Sequence, residues 1–148
     1  MRNWLLAFRP DTYEKVKSHQ TIGVLKNHRK RFAELAPGDR FVVYLTQKRL
    51  FDGHGLIDGQ PFEDTKPIFG EGQVYPHRCR VRFLETGRGT PAGDALWFLD
   101  VFKDLDNTEP TNVLFCRGGF TEIGDQNYDD LVGLMAGTEP APALTWKR

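Results

Sequence analysis

Short apolar segments separated by turn residues run along this chain of 148 residues. The first, "NWLLAF" at positions 3–8, precedes Pro10 and predicts an opening β-strand, and Asp11 or Thr12 can cap a short helix after it. The segment "RFVVYLTQ" at 40–47 is a nearly continuous apolar, β-branched and aromatic run that follows the turn "PGD". We therefore predict that it forms the central buried strand.

Helical spacing marks the segment between these two strands. Phe32 and Leu35 of "HRKRFAEL" fall on one face and are expected in the core, whereas Lys30 and Arg31 should face solvent. A later segment, "RCRVRF", alternates strictly and predicts a half-buried strand. Its predicted outer residues are Arg78, Arg80 and Arg82, and its inner residues are Cys79, Val81 and Phe83.

Turn signals crowd the middle of the chain at 52–55 ("DGHG"), 58–61 ("DGQP") and 70–72 ("GEG"), with "GLID" as a short strand between the first two. Further on, "ALWFLDVF" is either a strand or a helical turn, and "NVLFCRGGF" predicts a strand running into a Gly-Gly turn. A short helix is predicted at 128–135, with Asp129 and Asp130 at its start, where carboxylates favour the helix dipole. Many short strands with few helices and no regular βαβ alternation predict an α+β fold with a curled sheet or partial barrel.

Composition is ordinary for a globular chain, with 39% hydrophobic and 27% charged residues. No apolar run reaches the roughly 20 residues of a membrane helix, and the apolar start is too short for a signal peptide, so we predict a cytoplasmic protein. Cys79 and Cys116 stand singly, which favours reduced, packed thiols. We predict one domain over 1–136 and a flexible or docked tail over 137–148.

The formal net charge is zero, but the charges are unevenly distributed. Residues 1–50 carry 11 Lys and Arg against 4 Asp and Glu, whereas residues 51–100 carry 5 against 8. The densest cluster follows "TIGVL" and consists of Lys26, His28, Arg29, Lys30 and Arg31. A local basic face of this kind favours a polyanion partner bound in a salt-sensitive way, while an even dispersal of the charges on folding is the alternative.

Motifs for nucleotide binding, nucleophilic hydrolysis or metal binding were not found, so we predict a non-enzymatic protein without cofactor or metal. His77 and Cys79 are two possible metal ligands that lack a specified third, and Cys116 is a possible nucleophile without an indicated base. Basic residues instead lie beside aromatic ones, as in Phe8-Arg9 and Arg31-Phe32, a composition typical of nucleic-acid sites. The same composition is also common in ordinary cores.

An ordered set of segments resembles the EVE domain family, a branch of the PUA-like superfamily distantly similar to YTH domains. The set comprises "NWLLAF", "TIGVLKNHRKRF", "LAPGDRFVVYLTQ", "PFED" followed by "IF", and "YPHRCRV". The resemblance implies a PUA-like fold, a small mixed or antiparallel β-barrel flanked by short helices. It also implies a reader that accommodates a flipped, modified base, such as methylated cytosine in DNA, in prokaryotic defence beside a nuclease or AAA+ partner.

Two groups of site residues are predicted: the pocket and Arg117 are implied by the resemblance, and the other phosphate contacts are our interpretation of the basic clusters. The base pocket would comprise Ile22, Gly23, Val24, Leu25, Pro61, Phe62 and Phe69. Contacts to the phosphate backbone would come from Lys26, His28, Arg29, Lys30, Arg31, Arg78 and Arg117, with Arg80 and Arg82 continuing the ladder.

One departure from the family concerns the cage wall. The tryptophan that usually precedes the Gly-Val is Thr21 or Ile22 here, and Phe62, Tyr44 or Trp97 are candidates to replace it. The acidic element of the family survives only as "GLID". Three rival functions stay open at this point. They are an RNA-binding PUA-like or ASCH-type module, a small protein-interaction domain using Phe62 and Phe69, and a hydrolase whose catalytic groups the sequence motifs do not reveal.

Overall fold

The structure is a computed structural model that describes residues 1–24, 29–69, 75–95, 98–100 and 120–137, without the side chains of Arg29, Arg31 and Phe120. The described residues form a curled mixed sheet with short helices, so the predicted α+β class is confirmed. In chain order the elements are β1 (Asn3–Phe8), α1 (Pro10–His19), β2 (Thr21–Val24), α2 (Arg29–Phe32), β3 (Arg40–Leu45), β4 (Leu50–Ile57), β5 (Phe62–Glu63), β6 (His77–Glu85), β7 (Thr90–Pro91), a 3-10 turn (Ala92–Asp94), β8 (Phe120–Ile123) and α3 (Asp125–Met135).

Strand β3 lies in the middle of the sheet, whose order is β2-β6-β4-β3-β1-β8. It pairs in parallel with β1 and antiparallel with β4. Its side chains are buried on both faces, with Phe41 and Val43 on one and Val42 and Tyr44 on the other. This double burial explains why the sequence is apolar without alternation, and it confirms the predicted central strand.

Two apolar clusters cover the two faces of the sheet. The first contains Trp4 and Leu6 of β1, and α1 closes it with Tyr13 and Val16. Phe32 and Leu35 also lie there, each 2% exposed, as their helical spacing predicted. The second cluster contains the C-terminal part of the domain, where α3 packs through Tyr128, Leu131 and Met135. No helix within the described ranges is long and apolar enough to cross a membrane.

The ends of two helices differ from the sequence prediction. Helix α1 begins at Pro10 after Arg9, with no side-chain cap, so the predicted cap by Asp11 or Thr12 is wrong; proline is well suited to the first helical position. Asp129 lies in the second turn of α3 rather than at its start and forms an ion pair of 3.2 Å with Arg40. Helix α3 is thereby joined to the first residue of β3.

The "DGHG" segment is part of β4 and not a turn, contrary to the prediction. Gly55 lies so close to β6 that an added Cβ would be 2.2 Å from the carbonyl oxygen of Arg82, and one on Gly53 would be 2.6 Å from the Tyr13 hydroxyl. These glycines permit close packing of backbone and side chains in a strand. Sequence alone does not distinguish this use of glycine from a turn.

Candidate nucleic-acid interface

The N-terminal end of β6 lies between two short strands. His77 pairs with Val24 of β2 on one side and with Glu63 of β5 on the other. Arg78 pairs in the same way with Gly23 and Phe62. The segments that the sequence resemblance assigned to a pocket edge and to a closing loop are therefore neighbours through β6.

A cavity of about 150 Å³ lies at this junction and is lined by Phe32, Ala33, Pro61, Phe62, Glu63 and His77. It continues the inner face of the sheet beyond the buried pair of Ile22 and Cys79. Phe32 is buried, whereas Phe62 is 39% exposed and is accessible to a ligand. Rings that pack against apolar walls on one side and contact a ligand on the other are common in sites for flat molecules.

Two polar side chains stand at the edge of the cavity. His77 Nδ1 lies 3.6 Å from Glu63 Oε1, and the side chains are 14% and 79% exposed. The carboxylate can only accept hydrogen bonds, while an imidazole N–H can donate one. The cavity thus combines apolar walls with an acceptor and a donor, the two kinds of group that hydrogen-bond the edge of a base.

Exposed cations lie on two of the elements that meet at this junction. Lys30 is exposed on α2, two residues from Phe32 of the cavity wall. On β6 Arg80 and Arg82 are exposed on the face opposite that of His77 and Cys79, and neither side chain has a hydrogen-bond or ion-pair partner among the described residues. Side chains two apart on a strand share one face at roughly 6 to 7 Å spacing, so these two guanidinium groups can reach a common chain of phosphates.

The predicted pocket residues divide between cavity and core. Pro61 and Phe62 line the cavity. Ile22 and Phe69 are 2% and 4% exposed and pack in the first cluster, so neither side chain is available at the surface. Val24 is half-buried against the same cluster.

Gly23 lies directly beneath the aromatic residues of the neighbouring loop. An added Cβ would come within 2.7 Å of the Phe69 ring and 2.9 Å of Tyr75 Cβ. The two rings meet edge to face with centroids 5.4 Å apart. Gly23 is therefore required for close packing of this loop rather than for direct contact in the cavity.

The prediction that Arg78, Arg80 and Arg82 are all exposed on one face of β6 is wrong for Arg78. Its side chain is 2% exposed, because the loop that precedes β6 covers the first outer position of the strand. The Nε group donates to the Tyr75 carbonyl at 2.9 Å, Nη2 donates to the Lys66 carbonyl, and Nη1 faces Asp64 Oδ2 at 3.9 Å. With these partners the guanidinium is not available to a phosphate.

Other predicted site residues are placed elsewhere or lie outside the described residues. Tyr44 belongs to the second core cluster and does not line the cavity, so it does not supply the missing cage wall. Arg29 and Arg31 are described only as backbone of α2. Five predicted residues lie outside the description: Leu25, Lys26, His28, Trp97 and Arg117.

Sequence reasoning missed four of the six lining residues: Phe32, Ala33, Glu63 and His77. Phe32 was correctly predicted to be buried. Helical periodicity gives no information on whether such a buried residue also lines a cavity. His77 was considered only as a metal ligand beside Cys79. The structure separates that pair, because the Cys79 thiol is buried and donates to the Gly59 carbonyl at 3.2 Å.

No family model matches the sequence. A UPF0310 protein of Pyrococcus horikoshii is 26% identical in an alignment of 144 positions, gaps included, that covers 86% of this chain and 94% of that protein. A UPF0310 protein of Pyrococcus abyssi is 26% identical over 98 residues, 59% of this chain and 69% of its own.

Solved structures with a similar fold cover nine-tenths of this chain or more. The YTH domain of Zygosaccharomyces rouxii MRB1, solved in complex with N6-methyladenosine RNA, superposes with a TM-score of 0.69 at 15% identity, covering 94% of this chain and 89% of that one. The Pho92 YTH domain in complex with m6A also gives 0.69, at 12% identity, with coverages of 90% and 85%. The NMR structure of Rpa0253 from Rhodopseudomonas palustris gives 0.58 at 13% identity, covering 93% and 94%. The chain therefore has the fold of YTH domains, as the predicted PUA-like class implies.

Proposed function

We propose that this protein is a non-enzymatic nucleic-acid reader that accommodates one flipped, modified base in the cavity between β5, β6 and α2. The observation that carries the proposal is the cavity itself, which combines the exposed Phe62 ring with the polar side chains of Glu63 and His77, on elements that also carry exposed cations. The solved YTH domains with the same fold include one in complex with N6-methyladenosine RNA and one in complex with m6A, which supports this class of ligand.

The size of the cavity suits a single aromatic ring. Its volume of about 150 Å³ matches that of an apolar protein cavity known to bind benzene. Stacking on the Phe62 ring would then replace the base stacking lost on flipping, which costs a few kcal/mol. Glu63 and His77 would hydrogen-bond the edge of the ring.

The exposed cations supply the attraction for the nucleic-acid backbone. We assign Lys30, Arg80 and Arg82 to phosphate contacts, together with the other basic residues around α2 predicted from the sequence. Each such contact steepens the dependence of log K on log salt by about 0.7 on a single strand and about 0.9 on duplex DNA. Binding should therefore weaken strongly as salt is raised.

The ligand is either DNA or RNA, and different observations favour each. The resemblance to EVE domains favours methylated cytosine in DNA and a role in prokaryotic defence beside a nuclease or AAA+ partner. The YTH structures solved in complex with RNA favour RNA. Matched RNA and DNA strands in one titration decide between them.

Burial of Phe69 weakens the rival proposal of a protein-interaction surface. That proposal required Phe62 and Phe69 to form one exposed apolar patch, but Phe69 is only 4% exposed, under Tyr75 and beside Gly23. Phe62 alone is a small target for a protein partner.

The test uses fluorescence anisotropy with short single strands of RNA and DNA that carry one methyladenine, one methylcytosine or no modification. Phe62→Ala removes the exposed ring of the cavity. Leu84→Ala is the matched control, because Leu84 is an exposed apolar residue (55%) on β6 that does not line the cavity. Since stacking on an aromatic side chain contributes about 1–3 kcal/mol per base, Phe62→Ala should weaken binding roughly 5- to 150-fold, and Leu84→Ala should leave it unchanged.

Failure of the wild-type protein to bind any of these strands at low salt would refute the proposal. Equal affinity for modified and plain strands would reduce it to a general single-strand binder. Equal losses in the two variants would show that the cavity is not the binding site.

A further inference from the structure

The loop that forms one wall of the cavity is anchored to β6 by one buried side chain, that of Arg78. Residues 61–63 line the cavity, and the chain then continues through Asp64 and Lys66 to Phe69. Arg78 contacts this continuation at three places: the Asp64 carboxylate, the Lys66 carbonyl and the face of the Phe69 ring, 5.2 Å from its centroid. Its Nε group simultaneously holds Tyr75, at the other end of the same connection.

The partners of Arg78 are themselves fixed. Asp64 accepts a hydrogen bond of 3.0 Å from the Lys66 amide, and its own amide donates to the Pro76 carbonyl at 2.9 Å. The hydrogen bond from the Lys66 amide, helped by the charge of Arg78 and opposed by desolvation, holds the pKa of Asp64 below its usual value. The Lys66 carbonyl also accepts from Ile68 at 2.8 Å. The loop is thus organised around one guanidinium group.

Only an arginine can make this set of contacts. Its planar group offers five N–H donors in fixed directions and presents a flat face to an aromatic ring, whereas a lysine offers one compact ammonium. Gly23 provides the space on the opposite side, since any side chain there would displace Phe69. The two residues face each other in register across β2 and β6.

We propose that Arg78 is a positioning residue that determines base selectivity by fixing the loop carrying Pro61, Phe62 and Glu63, without touching the ligand. The inference rests on the proposed function for its effect on binding. A reader discriminates a modified base only if its cavity walls are held in one arrangement. When the competent arrangement is populated only in part, the apparent affinity for the modified base that requires it falls by that fraction, whereas a plain strand held by its phosphates does not depend on that arrangement.

The test compares Arg78→Met with Arg80→Met, which removes an exposed arginine two residues along the same strand. Affinities for modified and plain strands are measured over a range of salt concentrations. Arg78→Met should lower the ratio of modified to plain affinity at least tenfold and leave the salt slope unchanged. Arg80→Met should do the opposite, reducing the slope by about 0.7 on a single strand and leaving the ratio unchanged.

Hydrogen exchange gives a readout that does not require a ligand. Amides of residues 62–69 should exchange faster in Arg78→Met, while those of β1 and β3 keep the wild-type rate. Asp64→Asn is the milder variant if Arg78→Met does not fold. It removes one partner, at a residue whose side chain is 34% exposed, and should shift both readouts in the same direction by less.

The outcomes separate the two proposals. Binding by the wild type with an unchanged affinity ratio in Arg78→Met, or with a reduced salt slope, overturns the positioning role and leaves the reader intact. Absence of binding by the wild type refutes the reader. The positioning of the loop is then decided by exchange alone: faster exchange confined to 62–69 supports it, and no local change overturns it.

Discussion

Replacing Gly23 with alanine tests the packing beneath the cavity loop. The added Cβ would lie 2.7 Å from Cε2 of Phe69 and 2.9 Å from Cβ of Tyr75, both closer than carbon atoms approach without displacement. The Phe69 ring cannot move freely, because it is 4% exposed and contacts Tyr75 and Arg78. The substitution must therefore shift the loop or the strand.

The magnitude follows from two opposing effects. Overpacking of a well-filled core costs about 1–3 kcal/mol. Alanine regains about 0.5–1 kcal/mol relative to glycine in a strand, because it loses less conformational freedom on folding. The difference spans about 0–2.5 kcal/mol. Because two of the contacts fall below 3.0 Å, we expect the upper part of that range, a loss of about 1–2.5 kcal/mol in the free energy of unfolding, or roughly 2–10 °C in Tm.

Urea denaturation followed by circular dichroism measures this loss, with Gly59→Ala as the matched control. Gly59 also lies beside β6, but a Cβ there would meet only Arg80 Cβ, at 3.7 Å, and its φ is outside the left-handed region. That variant should stay within about 0.5 kcal/mol of the wild type. Truncating Phe69 to leucine should reduce the cost of Gly23→Ala by removing the atoms that clash. A Gly23→Ala protein as stable as the wild type, or an equal loss in Gly59→Ala, would refute the packing argument.

Two further predictions concern titratable groups. Desolvation lowers the pKa of His54 below its ordinary 6.5, so the unfolded chain binds a proton at a higher pH than the folded chain does. The free energy of unfolding should therefore fall as the pH decreases from about 6.5. His54→Gln should flatten this part of the pH dependence in a series of urea denaturations. Persistence of the full slope in His54→Gln would assign it to another group. Burial raises the pKa of the Cys79 thiol to about 11, so the native thiol should react slowly at pH 8. In a Cys116→Ser variant, which leaves Cys79 as the one cysteine of the sequence, the native protein should react with a thiol reagent far more slowly than the urea-unfolded protein. Equal rates would mean that the thiol is accessible in the native fold.

The elements that the sequence predicted best are those fixed by local pattern. The "RFVVYLTQ" run gave a correct central strand because burial on both faces leaves no polar position. The helical spacing before it gave correct burial for Phe32 and Leu35. Alternation in β6 was correct from Cys79 onward. It failed at Arg78, because the connection between β5 and β6 folds back over that position, and local alternation carries no information about such a cover.

The candidate site was predictable only in part for the same reason. Pro61 and Phe62 followed from the family resemblance, whereas Glu63 and His77 come together through a two-residue pairing of β5 with β6 that has no periodic signal. The glycines of β4 show the complementary failure. Gly53 and Gly55 have the composition of a turn, but the close approach of Tyr13 and of β6 determines their use.

The position of β1 has a consequence for synthesis of the protein. This strand pairs with β3 on one side and with β8 on the other, so Trp4 lies opposite Phe41 and Glu122. Its second edge cannot be paired until the chain has been translated as far as Ile123, and at about 5–20 residues per second this takes roughly 6–24 s. During that interval the nascent chain presents an apolar strand with unpaired backbone groups, the kind of edge to which other strands add. Chaperone binding to ribosome-bound chains should therefore be strongest before β8 emerges and should end when it does.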